Sequence, residues 1–517
     1  MRHIAAILLA VACAAAPAAP SNRTVLTEDQ RIRHALNRLA FGPRPGDVEA
    51  VRAMGLTAWI DAQLHPDTIP DAAVTDALSG LDTLQLPTGV LVRSYRDGVR
   101  QAAEAKRNDR NGAAPIPLMV GKDYRTFGAR AVGELQLAKV YRAVESNRQL
   151  LEVMVDFWTN HFNIDMRKNA DRALKIIDDR EVVRPYALGR FRDLLGASAH
   201  SPAMLVYLDN ARSSASGARG GLNENYAREI MELHTLGVDG GYTQKDVTEV
   251  ARCFTGWSLN ASTGRFQFFP RRHDDGAKTV LGHRIEAGGG IQDGETVLNI
   301  LAASPSTARH IAYQLCQRFI ADAPPMSAVD RAAQAFRDSG GDIAVVVRSI
   351  VTGPEFRTPA AYRAKTKSPF EYAVSALRAL DGHVVLPPHD DAGAPPPLRA
   401  FGPRSLPGQV AAMGEPLFQC QPPTGYGEDS ARWMGAGALV ARMNFAAALA
   451  AGGVTGTRIA RPLVDAAGRS AYEALAGRIL GGDVSGSTRD AAVAKDAENP
   501  QATIAALLLG SPEFQRR

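Results

Sequence analysis

Two short stretches concentrate the residue types that do chemistry. Residues 223–241, NENYAREIMELHTLGVDGG, set Glu229 and Glu232 at i and i+3 of a helix. At that spacing two carboxylates are close enough to chelate one cation or to share a proton. Asn225 and Arg228 fall on the same face. At about 100° per residue, His234 falls on the opposite face with Asn223, Ala227, Ile230 and Met231. The second stretch, DFWTNHF (156–162), puts His161 on the face of Met154, Phe157 and Trp158, beside Asn160. A third histidine, His273, precedes Asp274 in RRHDDGAK (271–278).

Three histidines with one or two carboxylates suit Zn²⁺ or another transition metal. On that reading His161, His234, His273 and Asp274 are the metal-ligand candidates, and Glu229 or Glu232 acts as general base on a water. Asn160, Asn225, Arg228 and Trp257 are the candidates for gripping substrate. Trp158, Tyr226 and Phe268 could add to Trp257 as sugar-stacking surface. The chemistry implied is a metal-assisted hydrolysis, with redox chemistry at a metal as a further option.

Each residue also has a structural reading. A lone histidine on an apolar face is more often a satisfied core residue, and Arg228 can neutralise a glutamate as an ordinary ion pair. Asn223 is a good N-cap, and Gly240-Gly241 reads as a helix stop. Thr243 with Asp246 three residues on reads as a capping box. Because His234 and the glutamates occupy opposite faces, one small ligand meets only one of the two groups. The glutamate face is the narrower choice for chemistry. HExxH, GxSxG, a P-loop and a dinucleotide fingerprint do not occur, and GAGALVA (435–441) starts a helix without a preceding strand.

The elements that must hold these residues are helical. The chain has 517 residues, which suggests about three domains or one large elaborated one, and 45% hydrophobic residues supply a core. A net charge of +5 without long basic runs is too dilute for nucleic acid. Residues 1–18 read as a cleaved export signal: Arg2 and His3, an apolar run over 4–12, then Ala16-Pro17-Ala18. Cys13 keeps open a lipoprotein alternative, in which that residue is acylated and anchors the chain. Cys253, Cys316 and Cys420 then remain, an odd set that allows at most one disulfide.

The remaining chain divides into an N-terminal helical region over 27–122, a central helical core over 123–262 that carries the candidate site, and a β-hairpin over 263–285. A helical region over 286–382, a Pro/Gly-rich loop over 383–430 that could cover a cleft, and a C-terminal helical region over 431–517 follow. In the hairpin, GRFQFFP (264–270) and TVLG (279–282) are the expected partners, joined through an Asp-Gly turn. SIVTGPEF (349–356) and LLLGSPEF (507–514) echo each other, a shared helix-stop signal.

FWTNHFNI, SPAMLVYLDN, residues 223–257, FFPRRHDDGAKTVLG and LCQRFIADAPP together resemble the bacterial domain-of-unknown-function family 1800, as does ALNRLAFGPRPGDVEAV near the start. The likeness spans nearly the whole mature chain. It implies a mostly helical exported protein, often accompanied by an exported partner of a second uncharacterised family, and no established activity.

The expectation is therefore a mainly α protein, a large multi-helix assembly with a small β-hairpin and a long Pro/Gly-rich loop, periplasmic or secreted. Its expected function is a metal-assisted hydrolase of an extracellular or envelope polymer such as a polysaccharide, with a divalent metal as cofactor. The alternative is a non-catalytic envelope protein that binds or assembles with an exported partner.

Overall fold

A computed structural model describes residues 25–110, 119–168, 170–215, 221–387, 402–466, 468–493 and 500–517. The signal reading over 1–18, with Cys13, and residues 388–401 of the Pro/Gly-rich loop lie outside the described residues. Helices make up 61% of the structure and its sheets are two-stranded, so the protein is mainly α. One hydrophobic core runs from Leu39 to Phe514, with a small satellite of Ile32, Leu36, Val48 and Val51. The sequence segments thus share a single interior.

The helices that matter for the site are α1 (Met119–Glu145), α2 (Gln149–His161), α3 (Asn225–Glu232), α4 (Gln244–Cys253), α5 (Pro305–Phe319) and α6 (Pro369–Ala379). Capping boxes start two of them: Thr243 with Asp246 for α4, and Ser368 with Glu371 for α6. Residues 146–148 separate α1 from α2. In α2 nearly every side chain is buried, and Trp158 donates its indole N–H to the Ala187 carbonyl at 2.9 Å. Within the N-terminal region Gly55, whose φ of +89° suits glycine, separates helices Asp47–Met54 and Leu56–Leu64.

Helix α3 ends eight residues before the double glycine. The N-cap is Glu224 rather than Asn223, which sits one residue earlier and accepts from the Asn225 N–H at 2.9 Å. At the other end the hydrogen bonds lengthen to five residues: His234 N–H to Glu229 and Leu236 N–H to Met231. The Thr235 hydroxyl donates to the Ile230 carbonyl at 2.6 Å. Side-chain competition for helix carbonyls unwinds the last turn, so His234 lies beyond the helix rather than on its face.

The strands also pair differently from expectation. β1 (Trp257–Leu259) pairs with β2 (Phe266–Phe268), β3 (Lys278–Val280) with β4 (His283–Ile285), and β5 (His383–Val384) with β6 (Thr457–Arg458). GRFQFFP and TVLG therefore belong to two successive hairpins, not one. The overlooked signals are turns. The Asn260 side chain accepts from the Ser262 and Thr263 N–H groups and organises the first. In the second, Leu281 and Gly282 both take positive φ, the two-residue turn whose twist matches the strands. Asp274-Asp275-Gly276 makes no strand turn: Asp274 accepts from Gly276 N–H and pairs with Arg252.

Cys253, Cys316 and Cys420 are all buried and unpaired. Among the described residues no helix is long and apolar enough to cross a membrane.

Candidate functional site

The histidines separate into two networks. His161, at the end of α2, contacts the Gln314 amide oxygen of α5 at 2.8 Å and the His234 carbonyl at 3.1 Å. The His161 and His234 rings lie 6.0 Å apart, and His310 of α5 reaches the Leu233 carbonyl at 3.3 Å. Gly237 closes this packing: its φ is +84°, and a Cβ there would stand 2.9 Å from the His310 ring. Burial lowers the pKa of all three imidazoles, His161 to about 3; His310 adds to the effect on His161, against the hydrogen bond to the His234 carbonyl, and His161 and His310 both add to it on His234. They are neutral packing groups joining α2, α5 and the end of α3.

His273 belongs elsewhere. It is buried, contacts the Thr255 carbonyl at 2.9 Å and Asp293 at 3.1 Å, and Lys278 holds the same Asp293 carboxylate at 2.6 Å. This buried trio ties the second hairpin to helix Ile291–Ala303. Asp274 points to Arg252 at 2.8 Å. Among the described residues, no three His, Cys, Asp or Glu groups stand close enough to hold one metal ion. The ligand set drawn from the sequence is thus spread over separate places.

The substrate-gripping candidates divide as well. Trp257 is fully buried and stacked on His200, centroids 4.6 Å apart, so its ring presents no face to a sugar. Asn160 makes a double hydrogen bond with the Tyr426 backbone, at 2.8 and 2.7 Å. Arg228 donates to Gln244 at 2.8 Å, and Glu232 accepts from the Tyr242 hydroxyl at 3.2 Å. Asn225 and Glu229 face solvent in a shared cleft.

That cleft is open and about 650 Å³ in volume, and its walls are Asp165, Arg167, Lys168, Tyr207, Asn225, Glu229, Gln421 and Pro423. Glu229 is half-buried. Burial raises its carboxyl above the ordinary range, and Glu232 one turn away pushes in the same direction against Arg228. Asp165 receives a two-pronged bond from the Arg167 guanidinium at 2.9 Å. Lys168 pairs with Asp209 at 3.0 Å, and the Tyr207 hydroxyl donates to the Gln421 carbonyl at 2.7 Å. The cleft therefore holds one carboxyl that favours its proton and one carboxylate whose charge is compensated.

Behind the cleft lies a second, much smaller space of about 50 Å³. Residues 415–433 form the partition. Gln421 and Pro423 face the cleft, whereas Leu417, Phe418, Tyr426 and Glu428 face the cavity. The partition is pinned to the end of α2 by Asn163, which donates to the Cys420 and Pro422 carbonyls at 2.9 and 2.8 Å. Gly425, at φ +68°, passes so close that a Cβ would stand 2.4 Å from the Asn160 carbonyl.

Charges crowd the cavity. Arg318 reaches Asp156, Glu371 and Glu428 at 3.0, 3.0 and 3.1 Å, Lys139 holds Asp156 at 2.7 Å, and Arg517 holds Glu371 at 2.9 Å. Burial works to raise Asp156 and Glu371, but these cations outweigh it and hold both below the usual carboxylate range. Glu415 accepts from the Phe370 N–H at 2.8 Å, and burial with nearby Asp156 pushes it up to about 7 against its hydrogen bonds to Phe370 and Ser368.

Asp165, Arg167 and Tyr207 carry no motif, and only the closeness of Asp165 to Arg167 hinted at them. Lys139, Asp156, Arg318, Glu371 and Arg517 sit on segments far apart in sequence. Glu415, a single acid in an apolar, glycine-flanked run, was the one visible signal.

No curated protein and no solved structure matches the chain. A family model described as a protein of unknown function, DUF1800, matches residues 34–516, which include every residue of the cleft and all but Arg517 of the cavity's ion pairs. With nearly its whole length matched, the chain belongs to the DUF1800 family.

Proposed function

We propose that the protein is an exported hydrolase of an extracellular or envelope polymer, a polysaccharide, and that the chemistry takes place in the open cleft. The observation that carries this reading is the pair of unlike carboxyl groups there: Glu229 with a raised pKa and Asp165 compensated by Arg167. Two carboxyl groups in different environments divide the roles of acid and base. Glu229 gives its proton to the leaving oxygen of a glycosidic bond. Asp165 takes a proton from the attacking water, and solvent then restores both groups. Asn225 and Tyr207 border the space a sugar ring would occupy. An open groove of about 650 Å³ admits an extended chain, which a cavity of about 50 Å³ does not.

No step is routed through a metal, since the histidines offered by the sequence lie in two separate networks. The location, periplasmic or secreted, rests on the signal read over residues 1–18, with a lipid anchor through Cys13 as its variant. A second reading, a non-catalytic envelope protein gripping an exported partner in the same cleft, draws on the mutual pairing of Arg167 with Asp165 and Lys168 with Asp209. Reducing-end release from a panel of bacterial polysaccharides separates the two. The hydrolase reading expects release by the wild type and a loss of about 10²–10⁴-fold in Glu229→Gln. Release by neither protein, or equally by both, sinks it.

A further inference from the structure

A third concavity is explained by neither the cleft nor the cavity. It lies between helices Glu28–Arg38 and Leu56–Leu64 and is closed by Val351 and the turn Glu355–Arg357. Its volume is about 180 Å³, room for about six water-sized groups at about 30 Å³ each. Leu26, Ile32, Leu56, Ile60, Val351 and Phe356 make its wall apolar.

One wall residue does not fit an apolar role. His34 is 2% exposed, its ring leans on Phe356 at 4.4 Å between centroids, and neither ring nitrogen has a hydrogen-bond partner. The Phe356 backbone comes near enough to favour the charged ring slightly, without hydrogen-bond geometry. Burial, with Arg38 one turn along the helix, keeps the imidazole far below its ordinary pKa. It is therefore neutral, with one N–H to donate and one nitrogen to accept. Buried polar groups are normally satisfied, so an idle imidazole in a cavity wall points to a missing partner.

The mouth gives the sign of that partner. Arg31 and Arg357 both stand there exposed, and the described residues place no carboxylate within ion-pair distance of either. Glu28 is the one acid at the mouth, so two cations face one anion.

We propose that this pocket binds a small aliphatic monocarboxylate. Its carboxylate accepts from the His34 N–H in the field of Arg31 and Arg357, and its tail of about four carbons packs on Leu56, Ile60 and Val351. A primary amine of the same length would meet the two arginines, and an acid without a tail would leave the wall unfilled.

Calorimetric titration of the full chain with pentanoate, acetate and pentylamine tests this. The expected result is saturable binding of pentanoate, at least about tenfold tighter than either of the others. His34→Leu should lower that affinity at least about tenfold while melting at or above the wild-type temperature, since the leucine removes only an unsatisfied group. Thr57→Trp, at an exposed position on the mouth, should abolish binding without disturbing the core. No saturable pentanoate heat, equal affinity for pentylamine, or undiminished binding by Thr57→Trp would overturn the proposal.

Discussion

The open cleft and the narrow cavity share a wall, residues 415–433, and are both lined by charged side chains, yet they are energetically opposite. In the cavity the Arg318 side chain, 4% accessible, holds three carboxylates, Asp156, Glu371 and Glu428, that are 13%, 7% and 17% accessible. Removing one partner there strands a charge in a low-dielectric interior, a loss of about 3–5 kcal/mol. In the cleft the pairs are partly exposed: the Lys168 and Asp209 side chains are 34% and 40% accessible. Such pairs contribute about 0–1 kcal/mol. The cavity is where charge holds the fold together, and the cleft is where charge is available to a ligand.

The largest expected effect follows from that difference. Arg318→Ala should lower the unfolding free energy by about 3–5 kcal/mol, read from the urea midpoint. A loss below about 1 kcal/mol would mean that the cavity network is as dispensable as a surface one. Next in size, Glu229→Gln should cut turnover by about 10²–10⁴-fold, about 3–5 kcal/mol in barrier, while leaving the urea midpoint close to the wild type.

The pH dependence of stability should separate the two carboxyl groups further. Glu415 titrates near 7 in the folded state, against an ordinary 4.5. Between those values the unfolded chain has lost this proton and the folded chain retains it, so stability falls as pH rises from about 4.5 to 7 and then levels off. A gap of that size corresponds to about 3 kcal/mol. Glu415→Gln, which can still accept the Phe370 N–H, should remove that component and be more stable than the wild type above pH 7. Identical pH-stability curves for the two proteins would refute the assignment. His161 acts with the opposite sign. Its folded pKa of about 3 lies below the ordinary 6.5, so its contribution is present above pH 6.5 and is lost as pH falls towards 3. The smallest effect is expected for Lys168→Ala, under about 1 kcal/mol by urea unfolding.

The cleft and the cavity were unequally visible in the sequence. Periodicity and capping chemistry made the helices between residues 291 and 379 legible, since each signal is local, whereas helix Leu406–Ala412 inside the Pro/Gly-rich stretch was not. The glutamate face of α3 was legible for the same reason: one helix carries Asn225 and Glu229 to the same side. Asp165, Tyr207 and Gln421 complete the cleft from three distant segments, and no local pattern records that meeting. The cavity was less legible still. Its ion pairs join α1, α2, α5, α6 and the C-terminal residue, each an ordinary charge in its own stretch. His161, His234 and His273 misled because like residues suggest a shared ligand, whereas Gln314, a backbone carbonyl and Asp293 had already claimed two of them. The hairpin misreading came from weighting Asp-Gly above the Asn260 loop and the Leu281-Gly282 turn, whose geometry depends on positive φ that leucine seldom adopts.

The pH profile of kcat/KM for polysaccharide cleavage tests the central claim most directly. A general acid with a raised pKa gives a rate that declines on the alkaline side. In Glu229→Gln the residual activity should lose that alkaline limb, and in Glu415→Gln both the limb and the rate should be retained. An alkaline limb that persists in Glu229→Gln, or disappears in Glu415→Gln, would contradict the placement of the chemistry in the open cleft.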